Sequence, residues 1–148
     1  MFRIVCRVSI LVLLLVYFAN SPYNQRIAGD APNLSIQNDN KKIIEAFRAR
    51  ISGLMVESVG TVDKILSDDL EGSPHQRFIL RFSGGHTLLL AHNIAIAHRI
   101  DTIKEGDTVY FRGQYEWNAK GGVIHWTHHD PNKLKKSGWL EHSGKRYE

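Results

Sequence analysis

The sequence predicts a mainly β domain: a small five-stranded, OB-fold-like barrel with a short helix, preceded by an N-terminal signal or anchor segment and one helix. Short apolar or alternating runs recur after residue 53, and a longer connection separates the third run from the fourth. The only cysteine is Cys6, so the domain has no disulfide, which suits a barrel whose closed sheet leaves no free edge. The alternative is an open antiparallel sheet with one packed helix.

The first part of the chain is predicted to direct export. Arg3 and Arg7 precede Val8–Ala19, an uncharged run of twelve residues, and the apolar region of a secretory signal has roughly 7–15. Residues 1–28 are therefore predicted to be a signal peptide or an uncleaved membrane anchor, and residues 29–39 a linker. Since positive charges stay on the cytoplasmic side, we expect a periplasmic or secreted domain, held at the inner membrane if the segment is not cleaved.

The charge of the chain gives little indication of its partners. The formal net charge is +4, but residues 1–28 contain three arginines and no acid, so the rest has 16 basic and 15 acidic residues. A nearly neutral domain of this kind is not marked as a nucleic-acid-binding protein by composition alone. Without cysteine in the exported part, a metal ion there must be bound by His, Asp, Glu or water. Nothing in the sequence predicts oligomerisation.

The domain is predicted to span residues 40–148 and to begin with a helix. Asn40 can cap this helix, in which Ile43, Phe47 and Ile51 recur at helical spacing. Gly60 predicts a bend in the first strand. The following segments are predicted in order: strands Leu54–Leu66, His75–Phe82 and His86–His92, a short helix or structured loop at Asn93–Ile103, and a hairpin of Thr108–Trp117 with Gly122–His129.

The segment Gly121–Pro131, which reads GGVIHWTHHDP, is the most informative in the chain. Histidine is the commonest metal ligand and a proton carrier near neutral pH, so this density of histidine and aspartate predicts a site rather than packing. If the strand continued to His128, His125 and Thr127 would share one face, and Trp126 and His128 the other. Histidines outside this cluster, at positions 86, 98 and 142, are predicted to lie on the surface.

Three motifs, HQRF at His75–Phe78, AHN at Ala91–Asn93 and GGVIHWTHHDP, resemble those of a family of small exported bacterial proteins, a domain of unknown function. The resemblance extends from about Gly60 to Tyr147, which is most of the folded part. It implies an exported domain with a common fold, and it implies no particular activity.

The first functional hypothesis is a binding module. Strand ends can converge on one rim of a barrel, where several imidazoles could bind zinc or another divalent metal, or an anionic ligand. The candidate metal ligands are His92, His128, His129 and Asp130. The candidate ligand-binding residues are Asn93, Lys120 and Trp126.

Two other hypotheses remain open. One is a metal-assisted or histidine-based phosphodiesterase or nuclease, with His75 and His125 as acid and base and Arg77 stabilising charge. The other is a structural histidine network with no ligand. Aromatic residues near the cluster, Trp126 and Trp139 among them, either stack on nucleic-acid bases or pack in the core.

Overall fold

The computed structural model describes residues 38–148. One helix and seven strands lie in this range: α1 (Asn40–Ala49), β1 (Leu54–Ile65), β2 (His75–Arg81), β3 (Thr87–Asn93), β4 (Thr108–Glu116), β5 (Val123–His125), β6 (Trp139–His142) and β7 (Lys145–Tyr147). The predicted signal or anchor segment, residues 1–28, and nearly all of the predicted linker, residues 29–39, lie outside the described residues. Within residues 38–148, no helix has the length and apolar character needed to cross a membrane.

The first five strands form a closed barrel. Neighbouring strands follow the order β1-β2-β3-β5-β4, and β4 also pairs with β1. Strands β3 and β5 are parallel, and the other pairs in the barrel are antiparallel. The predicted five-stranded barrel is therefore confirmed, and the open sheet is excluded. Strand β1 serves two neighbours in succession, since residues 54–61 pair with β4 and residues 61–65 with β2, and its register shifts between Val62 and Lys64. At Gly60 a Cβ would lie 3.0 Å from the Phe82 ring.

Two segments outside the barrel strands pack against its two ends. At one end, Trp117 Nε1–H donates to the Phe47 carbonyl of α1 at 3.1 Å. At the other, the connection of residues 94–107 folds as turns rather than as a helix. The inward-facing amide of Gln76 donates to the Ile100 carbonyl and accepts from its N–H, both at 2.9 Å. Ile100 is fully buried, so this structured loop closes the barrel.

The C-terminal part differs most from the sequence prediction. Strand β5 ends at His125 instead of reaching His129, because Trp126 takes a left-handed backbone conformation with φ of 55°. The chain then forms a loop over residues 126–138. Strands β6 and β7, which the sequence did not predict, make a hairpin that extends the sheet from β4. The alternation of faces predicted beyond His125 is therefore wrong, and Thr127 and His128 are both buried.

Candidate functional site

His92 lies fully buried at the end of the barrel that the 94–107 connection closes. Its Nε2 lies 3.2 Å from the His98 carbonyl, which can only accept, so Nε2 carries the proton. Nδ1 is then bare and accepts from the Thr127 hydroxyl at 2.8 Å. Burial, with smaller contributions from positive charge on His128 and His75, lowers the pKa of His92 from 6.5 to about 4. His92 is thus a neutral imidazole with both nitrogens bonded.

We expect acid to destabilise the domain through His92. In the unfolded chain His92 takes up a proton near pH 6.5, whereas in the folded chain it does so only near pH 4. Its stabilisation is therefore complete above pH 6.5 and falls as the pH drops toward 4, by up to about 3 kcal/mol. Urea unfolding at several pH values checks this, with His92→Gln as a variant that does not titrate. A variant that loses stability with acid as steeply as the wild type would contradict it.

Two other imidazoles, those of His75 and His128, act on His92, because positive charge on either of them lowers the pKa of His92. His75 is half-buried at the start of β2, and its Nδ1–H donates to the Ser73 carbonyl at 2.6 Å. His128 is almost fully buried, and its Nδ1–H donates to the His129 carbonyl at 2.7 Å. Neither Nε2 has a hydrogen-bond partner among residues 38–148. Both imidazoles therefore keep an unshared electron pair on Nε2.

The other two predicted metal ligands lie in the loop after β5. The Asp130 carboxylate accepts backbone N–H groups from Asn132, Leu134 and Lys135 at 3.0, 2.6 and 2.7 Å. These bonds hold the pKa of Asp130 below its ordinary value, and the bond from Lys135 contributes most to this effect. His129 is exposed. Asp130 thus organises the loop. Among residues 38–148, no three His, Cys, Asp or Glu side chains are grouped closely enough to hold a metal ion.

Two of the predicted catalytic residues have other partners. His125, at the end of β5, lies 3.6 Å through Nε2 from a carboxylate oxygen of Glu116. Arg77 donates twice to the Ser67 carbonyl, at 3.1 and 3.0 Å, and lies 3.6 Å from Asp69. The guanidinium of Arg77 therefore stabilises the loop between β1 and β2.

The three predicted ligand-binding residues are divided between the two ends of the barrel. Asn93 pairs with His75 in the sheet, and its side chain accepts from the Ala95 N–H. The Trp126 ring lies 4.8 Å from the His128 ring. Lys120 is exposed in the turn between β4 and β5, beside the start of β3. The structure thus brings Asn93 and Trp126 to the histidines and leaves Lys120 at the opposite end.

Comparison with known proteins identifies the family of this chain. The model of a family described as "Protein of unknown function (DUF3465)" matches residues 28–148, which include the whole barrel and the C-terminal hairpin. The chain belongs to the DUF3465 family. No curated protein matches the chain. The resemblance inferred from the motifs is therefore confirmed, and the function of this DUF3465 member must be argued from its geometry.

Sequence reasoning missed several polar residues that position the histidines of this DUF3465 domain. Gln76 and Thr127 are fully buried, and the signal for Gln76 was an amide at an inward position of an alternating strand. His142, predicted to be on the surface, is buried, and its Nε2–H donates to the Asp107 carboxylate at 2.8 Å. That bond ties β6 to the end of the 94–107 connection. His86 is half-buried, and only His98 of the three is exposed as predicted.

Proposed function

We propose that this domain is a binding module that takes up a divalent transition-metal ion through Nε2 of His75 and His128. The observation that carries the proposal is the pair of bonds, 2.6 and 2.7 Å long, by which Nδ1–H of each imidazole donates to a backbone carbonyl. Such a bond sets the tautomer and orientation of metal-bound histidines and makes the other nitrogen more basic. Zinc, copper and nickel are the ions that imidazole suits best.

The site would be an open one. With two imidazoles as protein ligands, the remaining positions would be filled by water or by an anionic ligand that the metal charge attracts. His92 favours this arrangement because it stays neutral, with a pKa of about 4, and adds no positive charge to repel the ion. Metal binding and anion binding are therefore two aspects of one proposed site.

The contacts of Arg77 favour binding over phosphodiester cleavage. Arg77, which a hydrolase would need for charge stabilisation, is already bonded to Ser67 and Asp69.

The test is calorimetric titration of the metal-free full chain with zinc and with nickel. We expect about one ion per chain, and His75→Gln and His128→Gln should each weaken its affinity at least about tenfold. Glutamine can still donate to the backbone carbonyl, and circular dichroism checks that each variant folds. His86→Gln is the matched control, because Nε2–H of His86 also donates to a carbonyl, that of Gly121, at 3.0 Å.

Two results would reject the proposed function. One is a folded wild-type chain that binds neither ion at millimolar concentration. The other is a loss of affinity in His86→Gln as large as in His75→Gln and His128→Gln, which would indicate unspecific binding to surface imidazoles.

A further inference from the structure

The loop of residues 126–138 displays an isolated leucine among lysines. The Leu134 side chain is 86% exposed, and Lys133, Lys135 and Lys136 around it are exposed as well. The backbone N–H of Leu134 donates to the buried Asp130 carboxylate at 2.6 Å, which fixes the backbone from which this side chain projects. Within the described domain, a leucine so far in water contributes no burial to the stability of the fold.

A polar cleft lies beside the same loop. Lys136 lines it together with Lys42 and Arg112, and its volume is about 180 Å³. In the part of the chain that the structure describes, Arg112 and Lys136 form no ion pair with any carboxylate. A half-buried guanidinium that forms no ion pair within residues 38–148 suits a phosphate group, which it can bind through two parallel hydrogen bonds.

The charges around the cleft favour an anion. Two carboxylates, Asp39 and Glu57, also line it. Asp39 is engaged by the Glu57 backbone N–H at 2.9 Å and lies 3.8 Å from Lys42 Nζ. The cleft and the loop together contain three carboxylates, since Asp130 lies in the loop, and five cations, which are Lys42, Arg112, Lys133, Lys135 and Lys136.

We propose that this face binds the surface of a bilayer that contains anionic phospholipid. Leu134 enters the boundary of the acyl chains, the lysines contact the anionic headgroups, and the cleft at Arg112 receives a lipid phosphate. The Trp126 ring, 5.0 Å from Lys135 Nζ, lies behind the tip, and tryptophan is typical of the membrane interface. An acidic protein would also satisfy the lysines, but it would leave the protruding leucine unexplained.

The chain contains its own matched control. Leu70, in the loop between β1 and β2, is 74% exposed, but its neighbours are Asp68, Asp69 and Glu71. The two residues are thus both exposed leucines on loops, and they differ in the charge of their neighbours. The side chain at position 134 should therefore insert into anionic membranes, and the side chain at position 70 should not.

The experiment uses the full chain with Cys6→Ser, which removes its only native thiol. Leu134→Cys or Leu70→Cys then carries a fluorophore that responds to the polarity of its surroundings. Each labelled chain is titrated with vesicles of neutral phosphatidylcholine, with vesicles that also contain phosphatidylglycerol, and with soluble polyglutamate. Because the dye reports on one position, association through residues 1–37 does not by itself produce the signal.

We expect a blue shift and quenching by spin-labelled lipid at position 134 only, and only with the anionic vesicles. In that background, Arg112→Gln and Lys136→Gln should each weaken the response about fivefold in lipid concentration. Equal responses at positions 134 and 70, or no response at 134 with anionic vesicles, would overturn the proposal. A response at 134 to polyglutamate equal to that with vesicles would overturn it in favour of an acidic protein partner.

Discussion

Gly138→Ala should destabilise the domain by about 3 kcal/mol or more, because no room exists for a Cβ at this position. A methyl group there would collide with the Trp126 carbonyl oxygen and would lie 2.7 Å from that of Arg112. Both obstacles are backbone atoms, which cannot turn away as a flexible side chain can. The neighbouring bond from Gly138 N–H to the His128 carbonyl, 2.8 Å long, would be disturbed as well. Urea unfolding near neutral pH measures the effect.

Gly144→Ala, in the turn between β6 and β7, is the control for Gly138→Ala. Gly144 has a φ of 75°, which disfavours alanine, but nothing lies within 4 Å of its Cβ position. We expect a loss of only about 1 kcal/mol there, from backbone strain alone. If Gly138→Ala were no more destabilising than Gly144→Ala, the close contact between the 126–138 loop and β6 would not exist in solution.

His92→Ala should lower the free energy of unfolding by about 3 to 4 kcal/mol near neutral pH. The substitution leaves a cavity in the closed end of the barrel. It also leaves the Thr127 hydroxyl and the His98 carbonyl without the partners they have at 2.8 and 3.2 Å. Chemical unfolding of His92→Ala, of Thr127→Val and of the double variant measures how much of the loss belongs to the bond between the two side chains.

The double-mutant cycle isolates the free energy of the bond between His92 and Thr127. Because His92 and Thr127 are directly bonded, their effects should fall short of additivity by about 1 kcal/mol. Lys120→Ala is a control, since Lys120 is exposed at the opposite end of the barrel. Strictly additive effects, or a loss below about 1 kcal/mol for His92→Ala, would show that His92 does not hold the barrel closed.

The barrel strands were predictable because buried residues, most of them apolar, alternate along them with more exposed ones. In β2, for example, Phe78 and Leu80 are fully buried, as the pattern required. The end of β5 was not predictable in the same way. Trp126 takes its left-handed conformation while its indole N–H donates to the Lys136 carbonyl and its own carbonyl packs against Gly138. These partners come ten or more residues later, so no local pattern around Trp126 reports them. Because basic residues are frequent in the C-terminal segment, the sequence did not predict the hairpin of β6 and β7.

The candidate site was predicted in part. Sequence reasoning proposed that histidines from separate strand ends meet at one rim, and positive charge on His75 and on His128 does lower the pKa of His92. It could not divide their roles, because the role depends on which ring nitrogen meets a carbonyl. That choice is set by tertiary contacts, such as that between His92 and the 94–107 connection. For the same reason, Arg77 looked available in the sequence although Ser67 and Asp69 engage it.

The most direct test of this division of roles is a nitrogen-15 NMR spectrum of the histidine rings, recorded with and without one equivalent of zinc. Before zinc, His75 and His128 should carry their proton on Nδ1, and His92 on Nε2. Zinc should then shift the Nε2 signals of His75 and His128 and leave those of His92 unchanged. Nε2-protonated His75 and His128, or a zinc response confined to other histidines, would contradict the account.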